Sequence, residues 1–123
     1  LKAGLEWIAQ MGVDKIHAYE LHLRNALITG LNGVKNLKIY HTQGNSSGIL
    51  SINLTNHLPS EVAMRLNNEY GICVRVGLHC SPSSHKTLGS FTSGGTIRLS
   101  PGIFTTEEEI ETTIKALCTI AKG

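Results

Sequence analysis

The sequence has 123 residues, of which 41% are hydrophobic and 16% are charged, and its formal charge is +2. That length suits one domain with its own core, whereas the small charge and the 5% of aromatic residues do not suit a nucleic-acid-binding surface. No apolar run approaches the length of a membrane span, so we expect neither nucleic acid nor a membrane as a partner.

The three cysteines, Cys73, Cys80 and Cys118, are an odd number at scattered positions. They do not resemble a disulfide framework, so we expect a reducing, cytoplasmic setting. The chain starts in the middle of a helical pattern, because Leu5 and Ile8 already have helical spacing and no capping residue precedes them. We therefore expect a fragment of a longer protein.

Two helices are predicted at the start of the chain. The first ends at Gly12. Asp14 is expected to cap a second helix over about residues 15–31, whose inward side chains are Ile16, Leu23 and Leu27.

Alternating side chains then predict two strands. Residues 37–41 alternate as in a half-exposed strand, and residues 44–48 have the composition of a hairpin connection. Residues 49–54 form the second strand, in which Ser51 and Asn53 face away from the apolar side.

Pro59 suits the first position of a third helix, which is expected to end before a glycine at position 71. Residues 72–76 are apolar and β-branched enough for an interior strand. Residues 77–95 are rich in Gly, Ser and Thr without periodicity, which predicts a long, unstructured and functional loop. Residues 96–100 return to a strand.

Thr106 and Glu109 have the spacing of a capping box that starts the last helix. Its apolar stripe is Ile110, Ile114, Leu117 and Ala121. Strands joined by hairpins or helices predict an α+β fold, a two-layer sandwich with a small, mostly antiparallel sheet covered by helices.

Cys80 is the first candidate for chemistry. It follows His79 in the predicted loop, and a nucleophilic cysteine is typically partly exposed and near a group that favours its thiolate. The alternative is a cysteine buried as a small apolar side chain, which is what we expect for Cys73 and Cys118.

Arg98 is the second candidate, since it lies between apolar neighbours in a predicted strand. Such an arginine binds a carboxylate or phosphate with two hydrogen bonds, or it forms a structural ion pair, here with Glu107 or Glu108. Arg75, in the strand that leads to Cys80, is a weaker candidate of the same kind.

Three ordered segments carry a resemblance to a known family. They are RVGLHCSP at 75–82, HKTLG at 85–89 and GTIRLS at 95–100, and FTTEEEI at 104–110 matches the start of the same family's last helix. Together they closely resemble the C-terminal small domain of the class V aminotransferases, in the branch of cysteine desulfurases and selenocysteine lyases. The resemblance covers essentially the whole chain.

The resemblance implies a fold type I pyridoxal phosphate enzyme, usually a homodimer, whose N-terminal large domain binds the cofactor and lies outside residues 1–123. It implies that Cys80 attacks the sulfur of L-cysteine or a related amino acid, leaving alanine and an enzyme-bound persulfide. Arg98 would bind the substrate carboxylate, with Arg75 and His79 also on the substrate side. No residue of this chain is assigned to the cofactor, so the fragment alone is expected to be inactive.

The short spacing between Cys80 and Arg98 resembles the ordered loop of the selenocysteine-lyase-like branch, which implies help from a sulfur-acceptor protein. Two alternatives stay open. The same scaffold serves other class V reactions, such as transamination or elimination. A non-enzymatic α+β module could also bind an amino acid through Arg98.

Two other motifs are not assigned a function. His79, Cys80 and His85 lie close in sequence but lack the paired spacing of metal ligands, so no metal site is predicted. The triplet 84–86 looks like the segment that carries the Schiff-base lysine of pyridoxal phosphate enzymes. It falls in a predicted loop instead of following a strand of a large α/β domain, so Lys86 is not assigned as the cofactor lysine.

Overall fold

Five helices and four strands make up the described part of the chain, which is residues 1–40, 44 and 47–123 of a computed structural model. The helices are α1 (Lys2–Met11), α2 (Val13–Leu31), α3 (Pro59–Tyr70), α4 (Pro82–Leu88) and α5 (Glu107–Lys122). The strands are β1 (Leu37–Tyr40), β2 (Leu50–Leu54), β3 (Arg75–Gly77) and β4 (Thr96–Leu99). The end of the first predicted strand, at His41, and residues 45–46 of the predicted hairpin connection lie outside the described residues. None of the described helices is long and apolar enough to cross a lipid bilayer.

The strands form one sheet in the order β1-β2-β4-β3, and each neighbouring pair is antiparallel. Directly opposite residues share a face, so the pairs Ile39–Ile52 and Ile52–Ile97 place these isoleucines together. Helices α2, α3 and α5 contribute to the core on this face. The largest fully buried apolar side chains are Leu23, Leu27, Leu31, Leu50, Ile52, Leu54, Val62, Leu66, Ile97, Leu117 and Ile120. The predicted α+β fold is confirmed.

Local signals at two helix ends were predicted and are present. Helix α3 begins with Pro59 and ends before Gly71, whose φ of 68° is the left-handed conformation typical just after a helix. Helix α5 begins with a capping box: the Thr106 hydroxyl accepts the Glu109 N–H, and the Glu109 carboxylate accepts the Thr106 N–H.

Two other local predictions are wrong. Gly12, not Asp14, precedes α2, and Asp14 lies in the first turn of that helix. Residues 72–76 are not an interior strand, because pairing begins only at Arg75 and β3 is an edge strand. The apolar residues of this segment pack partly against the core before the strand begins, which explains their composition.

Helix α4 lies inside the segment predicted to be an unstructured loop, so that prediction is also wrong. Pro82 begins the helix and Gly89, with a φ of 70°, ends it. Seven residues are too few to show a helical period in the sequence. The segment is an ordered turn and helix that connect β3 to β4.

Gly95 is buried where this connection rejoins the sheet, and its φ is 101°. A Cβ atom there would overlap the carbonyl group of Gly77 on β3. We expect Gly95→Ala to lower the free energy of unfolding by about 3 kcal/mol in urea titrations of the chain.

Gly94→Ala is the matched control, because Gly94 has a similar φ of 81° but open space around its missing Cβ. It is expected to cost only about 1 kcal/mol, from the left-handed backbone alone. Equal losses in the two variants would show that the close approach to Gly77 does not constrain the fold.

Candidate functional site

The face of the sheet opposite the apolar core is polar. Tyr40 pairs with Ser51, Ser51 with Arg98, and Arg98 with Arg75, so one row of polar side chains crosses all four strands. Alternation places further polar residues on the same side. We call it the polar face, which carries Lys38, Tyr40, Ser51, Asn53, Arg75, Thr96 and Arg98.

Two arginines are direct neighbours on this face. Arg98 and Arg75 are opposite each other on β4 and β3, where like charges repel unless an anion is present. The Nε of Arg98 is buried and has no hydrogen-bond partner among the described residues, a situation that costs about 1–3 kcal/mol. The structural ion pair with Glu107 or Glu108 does not form, since Arg98 takes part in none of the ion pairs seen in the described ranges. The arginine pair therefore has the charge and the free donors to bind a carboxylate.

Cys80 lies in a tight turn that follows β3. His79 and Cys80 both have positive φ, 49° and 59°, and the Ser81 N–H closes the turn on the Leu78 carbonyl at 2.8 Å. A left-handed backbone costs of order 1–2 kcal/mol in a residue that has a side chain, and such strain is found preferentially at functional sites. Cys80 is exposed, which excludes the alternative of a buried structural cysteine.

The other two cysteines differ from each other. Cys73 was expected to be buried and is exposed, because it lies beside the edge strand, where its Sγ is 3.6 Å from Asn67 Oδ1. Cys118 is half-buried on α5, close to the apolar stripe.

His79 connects the cysteine turn to β4. Its Nε2 is 3.1 Å from the Thr96 carbonyl oxygen and 3.2 Å from the Thr96 hydroxyl. Because a carbonyl can only accept, Nε2 carries the hydrogen and Nδ1 of the neutral ring keeps its lone pair. Burial is the main cause that lowers the pKa of His79, against the opposing effect of its hydrogen bond to Thr96. Nearby Arg98, His85 and Arg75 lower this pKa further, so the ring is neutral near pH 7.

This lowered pKa predicts an acid-sensitive contribution to stability. An unfolded histidine binds its proton near pH 6.5, whereas folded His79 resists it, so stability is lost as pH falls below that value. We expect His79→Gln to lose less free energy of unfolding than wild type between about pH 7.5 and about pH 5. His17→Gln, at an exposed position on α2, should behave as wild type. Parallel pH profiles for wild type and His79→Gln would contradict the prediction.

Three residues that the sequence did not single out hold the connection between β3 and β4 in place. Thr96 binds His79, Ser90 Oγ lies 2.7 Å from His85 Nδ1, and Asn53 Nδ2 donates to the Gly95 carbonyl at 2.9 Å. The alternating pattern of β2 placed Asn53 on the polar side of its strand, which is the only sequence signal for this role. The sequence contains no comparable signal for Ser90, because the turn after α4 is what brings Ser90 to His85.

Each histidine near Cys80 has one ring nitrogen within hydrogen-bond distance of a protein group. Nε2 of His79 contacts Thr96, and Nδ1 of His85 contacts Ser90. In the described ranges, no group of three or more His, Cys, Asp or Glu side chains is arranged to hold a metal ion. Lys86 is exposed on α4, where its Nζ is 5.3 Å from the centre of the Phe91 ring.

A separate groove of about 420 Å³ lies between the end of α3 and the start of α5. Its lining includes Cys73, Glu108 and Glu109 but no residue from 75–98. The paired arginines lie on the polar face, and neither they nor the exposed Cys80 line this groove.

Residues 1–113 match the family model of aminotransferase class V. The chain is 32% identical over 111 residues to a probable cysteine desulfurase of Methanothermobacter thermautotrophicus, covering 90% of this chain and 28% of that protein. It is 32% identical over 117 residues to a cysteine desulfurase of Shigella flexneri, covering 95% of this chain and 28% of that protein. The solved apo structure of a cysteine desulfurase from Thermococcus onnurineus NA1 matches with a TM-score of 0.89 at 29% identity, over 98% of this chain and 30% of that one. The chain thus spans less than a third of the length of these relatives.

Proposed function

Because this chain belongs to the aminotransferase class V family, we propose that its parent protein is a cysteine desulfurase in which residues 1–123 form the C-terminal small domain. The relatives described above bear that name. The single observation that carries the proposal is an exposed cysteine in a strained turn, fixed by His79 to the face that bears the unpaired Arg98 guanidinium. A nucleophilic thiol and a carboxylate-binding group are what sulfur abstraction from an amino acid requires.

In the proposed reaction the Cys80 thiolate attacks the side-chain sulfur of L-cysteine. A sulfur–sulfur bond forms on Cys80 while the Cβ–S bond breaks, and the electron pair of the broken bond stays with Cβ, which takes up a proton to give alanine. The transferred sulfur is oxidised and Cβ is reduced by the same two electrons, so no external oxidant is needed. The persulfide on Cys80 then transfers its outer sulfur to an acceptor. Alternatively, a thiol reductant reduces the persulfide and sulfide is released.

The arginines would hold the substrate during this attack. Arg98 has a buried Nε without a partner in the described chain, and a substrate carboxylate would satisfy it. Arg75, opposite Arg98, adds a second positive charge on the same face. His79 would offer the lone pair of Nδ1 to a substrate hydrogen while its Nε2–H stays on Thr96.

Pyridoxal 5′-phosphate, which the family implies, supplies an electron sink for bond cleavage in the amino acid when it is bound. The residues present fit the substrate side of such a site, because the unpaired Arg98 donor suits a carboxylate. Lys86 is exposed beside Phe91 on α4, and we do not propose it as the lysine of the cofactor. The anchoring lysine and the phosphate contacts would therefore come from the large domain.

The parent protein is proposed to be a cytoplasmic homodimer that works with a sulfur-acceptor protein. The exposure of Cys80 supports transfer to a second protein, because a persulfide there can be reached without opening the fold. Three free cysteines support a reducing compartment.

Two other functions would also use Arg98. Another class V reaction, a transamination or an elimination, needs the carboxylate site but not the Cys80 thiol. A non-enzymatic amino-acid-binding module needs neither the thiol nor the large domain. The strained, exposed turn at Cys80 favours the desulfurase. Backbone strain is found preferentially at functional sites, and neither alternative function uses Cys80.

The parent protein with its large domain tests the choice of reaction. We expect it to form equal amounts of alanine and sulfide from L-cysteine when dithiothreitol is present, and residues 1–123 alone to form neither. Transfer of the amino group to a 2-oxo acid without sulfide would favour a transaminase. Tight binding of L-cysteine by residues 1–123 alone, with no product from the parent, would favour the binding module.

A further inference from the structure

His85 is a buried histidine close to the cysteine turn that the proposed reaction does not use. It lies on α4 with only 5% of its surface exposed, and its Nδ1 is 2.7 Å from the hydroxyl of the fully buried Ser90. A buried imidazole is costly without a hydrogen bond, so Ser90 satisfies it. The contact between these two side chains holds α4 against the segment that follows it.

Backbone hydrogen bonds extend this contact to the centre of the sheet. The His85 carbonyl accepts the N–H groups of Ser90 and Phe91, at 2.9 and 3.1 Å. The Ser90 carbonyl accepts the Gly95 N–H at 2.9 Å, and the Gly95 carbonyl accepts Asn53 Nδ2 at 2.9 Å. One end of the Cys80 segment is thus connected to β2.

The other end is connected to β4 through His79, whose ring centre is 5.7 Å from that of His85. Cys80 lies between these two connections, in a turn whose left-handed backbone costs free energy. Strain of this kind persists only where the surroundings hold the backbone in place. The hydrogen bonds of His85 form the connection to β2, and its ring lies beside the ring of His79 in the connection to β4, so His85 links both.

We propose that His85, braced by Ser90, is a positioning residue that holds the Cys80 turn in its reactive place, an inference that rests on the proposed desulfurase function. In the described chain no hydrogen bond joins Arg98 to His85 or Ser90, so loss of the brace should displace the thiol and leave carboxylate binding unchanged. A displacement of about 1 Å at a reacting group can cost up to about 100-fold in rate. The expected signature is a lower kcat at constant KM.

Steady-state alanine formation by the parent protein tests this with four variants. His85→Phe and Ser90→Ala should each lower kcat about tenfold with KM changed less than about twofold, and the double variant should be no worse than His85→Phe. His85→Asn, which can keep a hydrogen bond from the δ position, should recover to within about threefold of wild type. Cofactor absorbance should be equal in wild type and all four variants. A rise in KM in step with the loss of kcat, equal losses in Asn and Phe, or no loss at all would overturn the proposal.

A second readout is independent of turnover. Iodoacetamide labelling of the substrate-free parent, quantified for each cysteine peptide, should change at least about threefold at Cys80 relative to Cys73 in His85→Phe and recover in His85→Asn, because the exposure of the Cys80 thiol depends on the turn that His85 holds. If wild type forms no alanine but this pattern holds, the desulfurase proposal fails and the positioning role stands. If wild type forms alanine and labelling is the same in every variant, the positioning role fails alone.

Discussion

The Cys80→Ala variant of the parent protein is expected to release sulfide from L-cysteine at least about 1,000 times more slowly than wild type. Alanine cannot form the sulfur–sulfur bond that receives the transferred atom. No other cysteine of this chain can replace it, because Cys73 lines the separate groove and Cys118 is half-buried on α5. The variant should keep the cofactor absorbance, since an exposed cysteine in a turn contributes little to packing.

Cys73→Ala is the matched control, because Cys73 is also an exposed free thiol. Its sulfide release should stay within about twofold of wild type. Release by Cys80→Ala at the wild-type rate would remove Cys80 as the nucleophile and favour another class V reaction.

The Arg98→Gln variant is expected to lower kcat/KM for L-cysteine about 1,000-fold, mostly through KM. The buried Nε of Arg98 has no partner in the described chain, so a bound carboxylate would gain a charge-assisted hydrogen bond that glutamine cannot replace. Arg98→Lys should recover only part of the loss, because lysine keeps the charge but lacks the planar pair of donors.

Arg65→Gln is the control for the general loss of an arginine. Arg65 lies on α3, where its Nε is 2.8 Å from a Glu69 carboxylate oxygen. Exposed ion pairs of this kind contribute at most about 1 kcal/mol, so kcat/KM should not change. An Arg98→Gln variant with an unchanged KM would show that the carboxylate binds elsewhere.

Elements with local signals were predictable from the sequence. The stripe of α5 and its capping box are set by residues a few positions apart, and the same is true of Pro59 and Gly71 at the ends of α3. Such patterns do not depend on the rest of the fold. They were sufficient for the α+β fold class once hairpins and helices were seen to join the strands.

Helix α4 and the edge position of β3 could not be predicted in this way. A helix of seven residues has too few turns for a period, and an apolar segment does not say which strand will pair with it. Composition alone therefore predicted a loop in one place and an interior strand in the other.

The candidate site also has one part that the sequence predicts and one part that it does not. Cys80 and Arg98 were identified from the chemistry of their side chains. Their supports were not, because the bonds join residues far apart in sequence: His79 to Thr96, 17 positions away, and Asn53 to Gly95, 42 positions away. Only the fold reveals these contacts.

The most direct test of Cys80 as a sulfur-accepting nucleophile is the mass of the cysteine peptides after the parent protein has reacted with L-cysteine in the absence of a reductant. We expect the Cys80 peptide to gain one sulfur atom, which dithiothreitol should remove, and the Cys73 and Cys118 peptides to be unchanged. Alanine formation with no added sulfur on Cys80, or added sulfur on another cysteine instead, would contradict the proposed mechanism.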